Sequence, residues 1–412
     1  MMTEDTSGLL SADLLTGVRV LDLTNVLSGP FCTYQMVLLG AEVIKIENPR
    51  GGDLARQLGA DPKLNEKNMG TSFLAQNSGK KSVTLNLKKP EAIELFLQLV
   101  KAADVVVENF RPGVMDRLGV GYETLRAVNP GLVFCSISGF GQEGPLRANP
   151  AYDQIVQGMS GVMSITGDEA TGSSPLRVGF PLCDSVGGLT AAYAVVSALY
   201  AREKTGKGRY IDVSMLDSTL VMLGWVVSNY LSAGVTPRAI GNQNMTAAPS
   251  GTFQTANGLL NIAANKQEQF EGLCRLIGNE ALITDARFTG RDQRKANREL
   301  LNAEITRSLL DDTAEAWEHK FNAAGVPAGR VLTVPQVLDH PQVQSRNLIQ
   351  QIDSDILPGG FVRVTRAGYT MADGEPGVSS APPGLGEHTA DILAEVAVDA
   401  QRLAELKALG VV

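Results

Sequence analysis

Cysteine, histidine and tryptophan are scarce in this chain, and the first two shortages each disfavour a class of chemistry. The four cysteines are widely scattered along the 412 residues and form no Cys-x-x-Cys pair, so a zinc site or a dithiol redox motif has little support. The three histidines all lie in the last quarter of the sequence, at positions 319, 340 and 388. A metal site of mixed histidine and cysteine ligands is therefore also disfavoured, and we predict no metal cofactor.

The sequence also lacks an excess of basic residues and any long uninterrupted apolar run. Its formal net charge of −8 repels polyanions, so we expect no nucleic acid partner. The most apolar stretch, residues 216–235, contains Asp217 and Asn229, and we interpret it as a buried helix rather than a membrane span. The first 14 residues carry acids and lack the pattern of a secretory signal. We expect a cytoplasmic protein with no membrane partner.

Strand and helix signals alternate through the first half of the chain. β-Branched apolar segments at 17–23, 41–47 and 104–109 are predicted strands, and the helices between them are opened by prolines such as Pro30 and Pro90. Such βαβ units with short connections predict a parallel sheet. Because the chain is too long for one core, we predict an α/β fold with a doubly wound sheet and a smaller α+β domain.

Two segments resemble nucleotide-binding motifs only in part. The first strand-to-helix turn, residues 25–30, has no Gly-x-Gly-x-x-Gly, so NAD or FAD is disfavoured although Glu47 ends the second strand. A helix start in this place still suits a phosphate group. Residues 77–82 fail the complete P-loop pattern, and we interpret them as a solvated turn before a strand.

The segment at 107–113 ends a predicted strand with Asn109, Phe110 and Arg111 before a Pro-Gly turn. An amide, an aromatic face and a guanidinium suit an adenine, ribose and phosphate ligand at the carboxyl edge of a sheet. The same residue types also cap ordinary turns. Tyr152 follows Pro150 in a predicted loop, where a tyrosine is more often a packing residue than a functional one.

Asp184 is the sharpest local feature of the sequence. It lies between apolar Leu182 and Cys183 and a helix that starts with Gly187 and Gly188. One interpretation is an aspartate that caps this helix. The other is a nucleophilic carboxylate, kept ionised by the helix amides with room made for a bulky substrate by the two glycines. Local sequence alone leaves the choice even.

Taken together, these segments resemble the class III CoA-transferase family, the CaiB/BaiF-like proteins that include formyl-CoA:oxalate and carnitine CoA-transferases and the α-methylacyl-CoA racemases. The matching segments are residues 17–33, 39–49, 77–91, 104–113, 138–145, 184–189, 202–217 and 385–389. They occur in the family's order and are dense up to residue 217. The resemblance therefore spans nearly the whole chain.

The resemblance implies an interlocked homodimer, with a Rossmann-like CoA-binding domain at residues 1–230 that is completed by residues 350–412. It implies a small domain with linkers at residues 231–349 and a catalytic nucleophile at Asp184. The CoA contacts that it implies are Leu27, Ser28, Leu85, Asn86, Lys88, Asn109, Phe110, Arg111, Arg117 and Tyr152. One departure is Asn48, where some members carry arginine, and Arg50 is a candidate substitute.

By this resemblance, Asp184 attacks an acyl-CoA thioester, and CoA moves to a carboxylic acid through an aspartyl anhydride and an aspartyl-CoA thioester. A racemase is the main alternative, but racemases carry histidine in place of Tyr152, whose hydroxyl ordinarily titrates far from neutrality. A non-catalytic acyl-CoA binder is a further alternative, against which the retained carboxylate argues.

The family analogy also guides the expected substrates. Formyl-CoA:oxalate enzymes carry glutamine in place of Leu27 and a glycine-rich loop where this chain reads 244–251, so an oxalate acceptor is disfavoured. We expect succinyl-CoA as donor and a short dicarboxylate as acceptor. Polar residues of the loop at 239–249, with Arg238 before it, are candidates to hold the acceptor's distal carboxylate.

Overall fold

The computed structural model of the chain describes residues 13–372 and 374–412, so the expectation about a signal in the first 14 residues falls almost entirely outside it. Contacts divide the chain into two units. Of the described residues, unit 1 contains those from 13 to 162, together with 177–235 and 344–412, and unit 2 contains 163–176 and 236–343. The main part of unit 2, residues 236–343, differs slightly from the small domain predicted at 231–349. The sequence gives no sign that residues 163–176 also belong to unit 2.

Eleven strands are present among the described residues. They are β1 (Arg19–Asp22), β2 (Glu42–Glu47), β3 (Lys81–Thr84), β4 (Val105–Glu108), β5 (Val133–Ser138), β6 (Arg209–Ser214), β7 (Ser250–Gln254), β8 (Leu259–Ala263), β9 (Ala328–Arg330), β10 (Ile349–Asp353) and β11 (Phe361–Thr365). The first six form a sheet in unit 1 with the order β3-β2-β1-β4-β5-β6, and every neighbouring pair is parallel. The predicted parallel sheet is confirmed, and its order reverses between β1 and β4, which is the switch point of a Rossmann-type sheet.

Nineteen α-helices accompany these strands in the described part of the chain. They are α1 (Ser28–Leu38), α2 (Pro62–Glu66), α3 (Thr71–Asn77), α4 (Pro90–Val100), α5 (Val114–Arg117), α6 (Tyr122–Val128), α7 (Asp153–Met159), α8 (Leu182–Thr205), α9 (Met215–Met222), α10 (Gly224–Ala233), α11 (Gln267–Leu276), α12 (Ala281–Thr284), α13 (Arg291–Ala296), α14 (Arg298–Leu309), α15 (Ala314–Ala323), α16 (Val334–Leu338), α17 (Pro341–Gln344), α18 (Thr389–Ala394) and α19 (Ala400–Ala408). Short 3₁₀ turns lie at Asp13–Leu15, Leu54–Gln57 and Val162–Ile165.

Side chains of the six-stranded sheet point alternately into two apolar layers, because successive residues of a strand face opposite sides. Val20 and Val105 pack with α1 and α8 on one side. Leu21 and Val106 pack with α4, α6 and the C-terminal helices α18 and α19 on the other. Helices therefore cover both faces, as expected of a parallel sheet whose strands are apolar throughout.

The apolar stretch at 216–235 is not a single buried helix, so that interpretation is wrong for the isolated chain. It forms most of α9 and all of α10, with a break at Leu223. Val221, Trp225 and Leu231 are 61–77% exposed. The stretch is apolar on more than one side: α9 buries Ser218 and Thr219 in unit 1, whereas α10 buries no residue.

One described helix, α8, is long and apolar enough to cross a membrane by length and composition alone. Its buried face, which includes Ala191 and Val195, packs in the apolar layer beside the six-stranded sheet. A core helix meets the same length and composition criteria as a membrane span.

Unit 2 is built around a three-stranded antiparallel sheet with the order β7-β8-β9. Its core contains Phe270 of α11, Leu301 of α14 and Trp317 of α15. Separately, β10 and β11 form an antiparallel hairpin, and Val362 and Val364 of β11 pack in the core of unit 1.

Candidate active site

A cavity of about 360 Å³ lies in unit 1 where the chain leaves β1, β4 and β5. It occupies the switch point between β1 and β4, which is the place where open α/β sheets bind ligands. Its lining is formed by residues 25–28, 109–112, 137–140, 147 and 149–152, together with Leu54, Asp184 and Met215. We call this space the Asp184 cavity.

Asp184 lies in the first turn of α8, two residues after the helix begins at Leu182. Burial, and to a smaller extent the charge of Asp153, raise the pKa of Asp184 from 3.8 to about 7. The expectation that helix amides keep this carboxylate fully ionised is therefore wrong, because burial acts in the opposite direction. A carboxyl group with a pKa near neutrality in a cavity has the character of a functional acid, base or nucleophile.

Asp153 caps α8 in place of Asp184. The Pro181 residue before the helix offers no capping side chain, and the Oδ1 atom of Asp153 accepts hydrogen bonds from the backbone amides of Cys183 (2.8 Å) and Asp184 (3.3 Å). Its Oδ2 atom accepts one from Nε2 of Gln157 at 2.7 Å. The interpretation of Asp184 as the cap is thus wrong, and sequence reasoning missed Asp153 although it directly follows Tyr152.

The two glycines of α8 serve close helix packing. A Cβ atom on Gly188 would lie 2.4 Å from the carbonyl oxygen of Ser28, and one on Gly187 would lie 2.9 Å from Cγ of Met215. Larger residues would push α8 away from the start of α1. The prediction that these glycines make room for the substrate is therefore wrong, since protein atoms fill that space.

The turn from β1 to α1 is held in an unusual conformation next to Asp184. Val26 has a φ angle of +67°, which is costly for a β-branched residue. Its amide donates to Oδ1 of Asp53 at 2.9 Å. The side-chain amide of Asn109 accepts from the amide of Asn25 (2.8 Å) and donates to its carbonyl (2.9 Å). These bonds fix the positions of Leu27 and Ser28 at the cavity.

A buried cluster of charges stands behind this turn. Nζ of Lys45 lies 2.9 Å from Oδ2 of Asp53 and donates to the carbonyl oxygen of Thr24. Nζ of Lys80 lies 3.0 Å from Oδ2 of Asp22. Burial alone would raise the pKa of Asp22, but Lys45 and Lys80 hold it well below its usual range, and burial lowers the pKa of Lys80 to about 8. Because each charge has a partner, the cluster can support the turn without an unpaired buried ion.

The segment at 77–82 differs from the solvated turn predicted for it. Asn77, Ser78 and Lys80 are all buried, and Nζ of Lys80 also donates to Oγ1 of Thr33 at 2.8 Å. The lysine that resembles part of a P-loop thus belongs to the buried charge cluster.

A second cavity, of about 230 Å³, lies beside the carboxyl ends of β1, β2 and β3. It is lined by residues 23–25, 46–48, 52–53 and 85–88, together with Phe110, Val114 and Leu118. Glu47 is committed to a buried ion pair with Arg56 at 2.7 Å, which leaves it unsuited to bind a ribose. Phe110 lines both cavities, so it marks the point where they adjoin.

Most of the residues singled out from the sequence line one of these two cavities. Leu27, Ser28, Asn109, Phe110, Arg111, Tyr152 and Asp184 line the first, and Leu85, Asn86, Lys88 and Phe110 line the second. Arg117 lines neither; its Nη1 atom lies beside Gly113 at the start of α5.

Several of these side chains have structural partners that the sequence did not indicate. The side-chain amide of Asn109 is bonded to the backbone of Asn25, as described above, so it holds the turn at the wall of the cavity. The Nδ2 atom of Asn86 donates to the carbonyl oxygen of Gly410 at 3.3 Å, and its backbone amide donates to that of Val411 at 2.8 Å. These bonds tie the segment after β3 to the C-terminal residues.

The remaining sequence candidates also have partners or lie outside the cavities. Asn48 lines the second cavity and accepts a hydrogen bond from the backbone amide of Arg50, whose side chain lines neither cavity. Within unit 2, Arg238 pairs with Glu169 at 2.6 Å, so its charge is matched by a carboxylate.

Known proteins resemble this chain over nearly its whole length. The family model described as CoA-transferase family III matches residues 15–389. A relative from Acetobacter aceti named acetyl-CoA:oxalate CoA-transferase is 42% identical, over 92% of this chain and 95% of its own. A relative from Agrobacterium fabrum named succinate–glutarate CoA-transferase is 36% identical, over 93% of this chain and 95% of its own.

A solved structure agrees with these relatives. The crystal structure of a CaiB/BaiF family protein from Brucella suis is 35% identical and superimposes with a TM-score of 0.81, covering 92% of this chain and 98% of that one. The agreement in fold and in sequence leads to one assignment. The chain belongs to CoA-transferase family III and is a CoA-transferase.

Proposed function

We propose that this enzyme moves CoA from succinyl-CoA to a short dicarboxylic acid, with Asp184 as the covalent nucleophile. The observation that carries the proposal is the position of Asp184: a carboxyl group with a pKa near 7, in a cavity at the switch point of the sheet. The names of the relatives support a dicarboxylate acceptor. Because one of these relatives is named for oxalate, the presence of Leu27 in place of glutamine does not by itself exclude oxalate as the acceptor.

In the first half of the proposed reaction, the Asp184 carboxylate attacks the thioester carbon of the donor. The carbon–sulfur bond breaks, and CoA thiolate leaves an acyl-aspartyl anhydride. The thiolate then attacks the Asp184 side-chain carbonyl and releases the donor acid, which leaves an aspartyl-CoA thioester. In the second half the acceptor carboxylate attacks that thioester, and the released thiolate takes the acceptor acyl group and restores the Asp184 carboxylate. Splitting the transfer in this way is covalent catalysis.

We propose that acyl-CoA binds across the two cavities of unit 1, with its thioester in the Asp184 cavity and its nucleotide part in the second one. Phe110, which lines both, would contact the connecting portion of the cofactor. Lys88 in the second cavity and Arg111 in the first supply positive charge for its phosphates. Unit 1 would thus be the CoA-binding domain.

A panel of donors and acceptors tests the activity. Purified enzyme is incubated with succinyl-CoA or acetyl-CoA and with glutarate, oxalate or a monocarboxylate, and the products are read by mass spectrometry. We expect transfer to dicarboxylates. Loss of configuration in a 2-methylacyl-CoA without any acceptor would contradict the proposal and favour a racemase.

Asp184→Asn tests the nucleophile, with Asp391→Asn as the matched control. Asp391 is an exposed acid in the first turn of α18, on the other face of the sheet. We expect Asp184→Asn to lower kcat by about 10³-fold or more with little change in CoA affinity. Hydroxylamine added during turnover should leave a hydroxamate on the peptide that contains Asp184. Near-normal turnover in the variant would exclude a covalent role.

We also propose a homodimer, in which a second copy covers the exposed apolar surface of α8, α9 and α10. Tyr193 of α8, Val221 of α9, and Trp225 and Leu231 of α10 are 61–77% exposed, and apolar patches of this kind mark protein interfaces. The family resemblance supports a second copy as the occupant. Light scattering of the purified protein measures the mass directly, and a monomer at micromolar concentration would contradict this proposal.

We propose the cytoplasm as the place of action. The four cysteines are all buried free thiols, as is usual in a reducing compartment. Fractionation of cells that express the full-length protein tests this.

A further inference from the structure

Arg147 is a guanidinium group without a carboxylate partner in the wall of the Asp184 cavity. It is exposed and lines the cavity together with Asp184. No ion pair or side-chain hydrogen bond of Arg147 occurs among residues 13–372 and 374–412. In a chain whose acidic side chains outnumber its basic ones, 44 to 36, an unpaired arginine beside a nucleophile calls for a negatively charged ligand.

The loop that carries Arg147 is anchored at both ends next to Asp184. It leaves β5 at Gly139, where an added Cβ atom would lie 2.2 Å from Cβ of Ala151, so the two ends of the loop touch. Its far end leads to Asp153, which accepts the amide hydrogen bonds of Cys183 and Asp184. Asp153 therefore connects the end of this loop to the first turn of α8, which carries Asp184.

We propose that Arg147 binds the distal carboxylate of the dicarboxylic acyl group and thereby sets the acyl specificity of the enzyme. This inference rests on the proposed function, because both donor and acceptor acyl groups pass through the anhydride on Asp184. A planar guanidinium suits a carboxylate through paired N–H···O bonds. Arg111 also lines the cavity, but it follows β4 directly in the turn with Phe110, so we place it at the CoA phosphates.

Succinyl-CoA and butyryl-CoA form the matched pair of ligands that tests this role. They share the CoA portion and the length of the acyl chain, and they differ in the distal carboxylate. For Arg147→Gln we expect the ratio of kcat/KM for succinyl-CoA to kcat/KM for butyryl-CoA to fall about tenfold or more. If butyryl-CoA is not turned over, its inhibition constant is measured in place of its kcat/KM. In Arg147→Gln we expect this inhibition constant to stay unchanged while KM for succinyl-CoA rises. Arg147→Lys keeps the charge but loses the planar fork of N–H donors. Its ratio of kcat/KM values should therefore lie between those of the wild type and Arg147→Gln.

Arg209→Gln is the matched control. Arg209 is also exposed and begins β6, at the amino edge of the sheet, opposite the edge that carries the cavity. We expect the ratio of kcat/KM for succinyl-CoA to kcat/KM for butyryl-CoA in Arg209→Gln to equal that of the wild type.

The outcomes separate this inference from the proposed function. A wild-type enzyme that transfers CoA to no dicarboxylate contradicts the proposed function itself. A wild-type enzyme that uses succinyl-CoA, together with an Arg147→Gln variant of unchanged ratio, overturns only the role of Arg147. An equal loss with both acyl-CoA molecules also overturns it, because the arginine would then bind the shared CoA portion.

Discussion

Replacing Asp153 by asparagine separates the charge of this residue from its role as a helix cap. The asparagine Oδ1 atom can still accept the backbone hydrogen bonds of Cys183 and Asp184 that Asp153 accepts at 2.8 and 3.3 Å. Asparagine caps helices about as well as aspartate does. The substitution therefore removes one negative charge near Asp184, together with the hydrogen bond that Oδ2 accepts from Gln157, while the backbone cap at the start of α8 is retained.

The size of the effect follows from the causes of the Asp184 pKa shift. The pKa of Asp184 is raised from 3.8 to about 7, first by burial and second by the charge of Asp153. A neighbouring like charge commonly contributes on the order of one pKa unit, or about 1.4 kcal/mol between the two protonation states. We therefore expect Asp153→Asn to lower the pKa of Asp184 by on the order of one unit and to leave the larger, burial-driven part of the shift.

The pH profile of kcat/KM for the acyl-CoA donor measures this pKa, because that parameter reports the groups of the free enzyme. In the proposed mechanism only the ionised Asp184 attacks the thioester, so kcat/KM should rise with pH through about 7 and level off above it. In Asp153→Asn the rise should occur at lower pH, which makes the variant relatively more active on the acid side. Asp391→Asn, which removes an exposed charge on the other face of the sheet, should leave the profile in place.

Three results would refute the reasoning. The midpoint of the Asp153→Asn profile could stay unchanged, it could move to higher pH, or Asp391→Asn could move it equally. The last result would indicate a general effect of net charge instead of a local one. A large loss of thermal stability in Asp153→Asn would show in addition that asparagine does not preserve the cap.

The raised pKa of Asp184 also makes the free energy of unfolding depend on pH. Native Asp184 holds a proton between pH 3.8 and about 7, where the unfolded chain has lost it, so its contribution to stability falls as pH rises through this window. Asp184→Asn removes the cost of holding an ionised carboxylate at this site. We expect the variant to be more stable than the wild type above pH 7, by about 2–4 kcal/mol, and equally stable below pH 4. Urea unfolding at both pH values checks this, and an equal gain at both would contradict the electrostatic cause.

Three further changes test the packing, the buried charges and the interface. Gly188→Val should lower the free energy of unfolding by about 1–3 kcal/mol, since its side chain would meet the first turn of α1, and chemical denaturation measures this. Lys80→Met should cost about 3 kcal/mol in the same assay, because Asp22 loses a buried partner. Leu231→Glu should halve the mass seen by light scattering, whereas Leu300→Glu, on an exposed position of α14 in unit 2, should not.

The parallel sheet was predictable because its inner strands are apolar on both faces. β4 consists of Val105–Glu108 and is buried at every position, so its sequence alone indicates a strand. β6 was not predicted from its pattern. As an edge strand its first residues, Arg209 and Tyr210, are exposed, and it pairs with β5 on one side only, so no apolar run marks it.

The sequence singled out Asp184 as the candidate nucleophile, but it did not indicate the groups that surround this residue. The helix that carries Asp184 is capped by Asp153, which lies 31 residues earlier in the chain. The raised pKa of Asp184 comes mainly from burial. Similarly, the turn at Asn25 is held by Asn109, 84 residues away. Local patterns cannot indicate such partners, because each partner is brought near only when the sheet has placed its strand ends together.

One common cause explains why the local interpretations of Gly187, Gly188 and Lys80 failed. They assigned these positions to substrate space or to solvent, whereas the folded chain places protein atoms against them. At a switch point the turns after several strands converge, and burial makes an unpaired polar group costly. Most polar side chains there must therefore be satisfied by their neighbours, and the few that are not become the informative ones. By that criterion the half-buried Asp184 and the exposed Arg111 and Arg147, none of which has an ion pair among the described residues, are the groups of this cavity that suit a charged substrate.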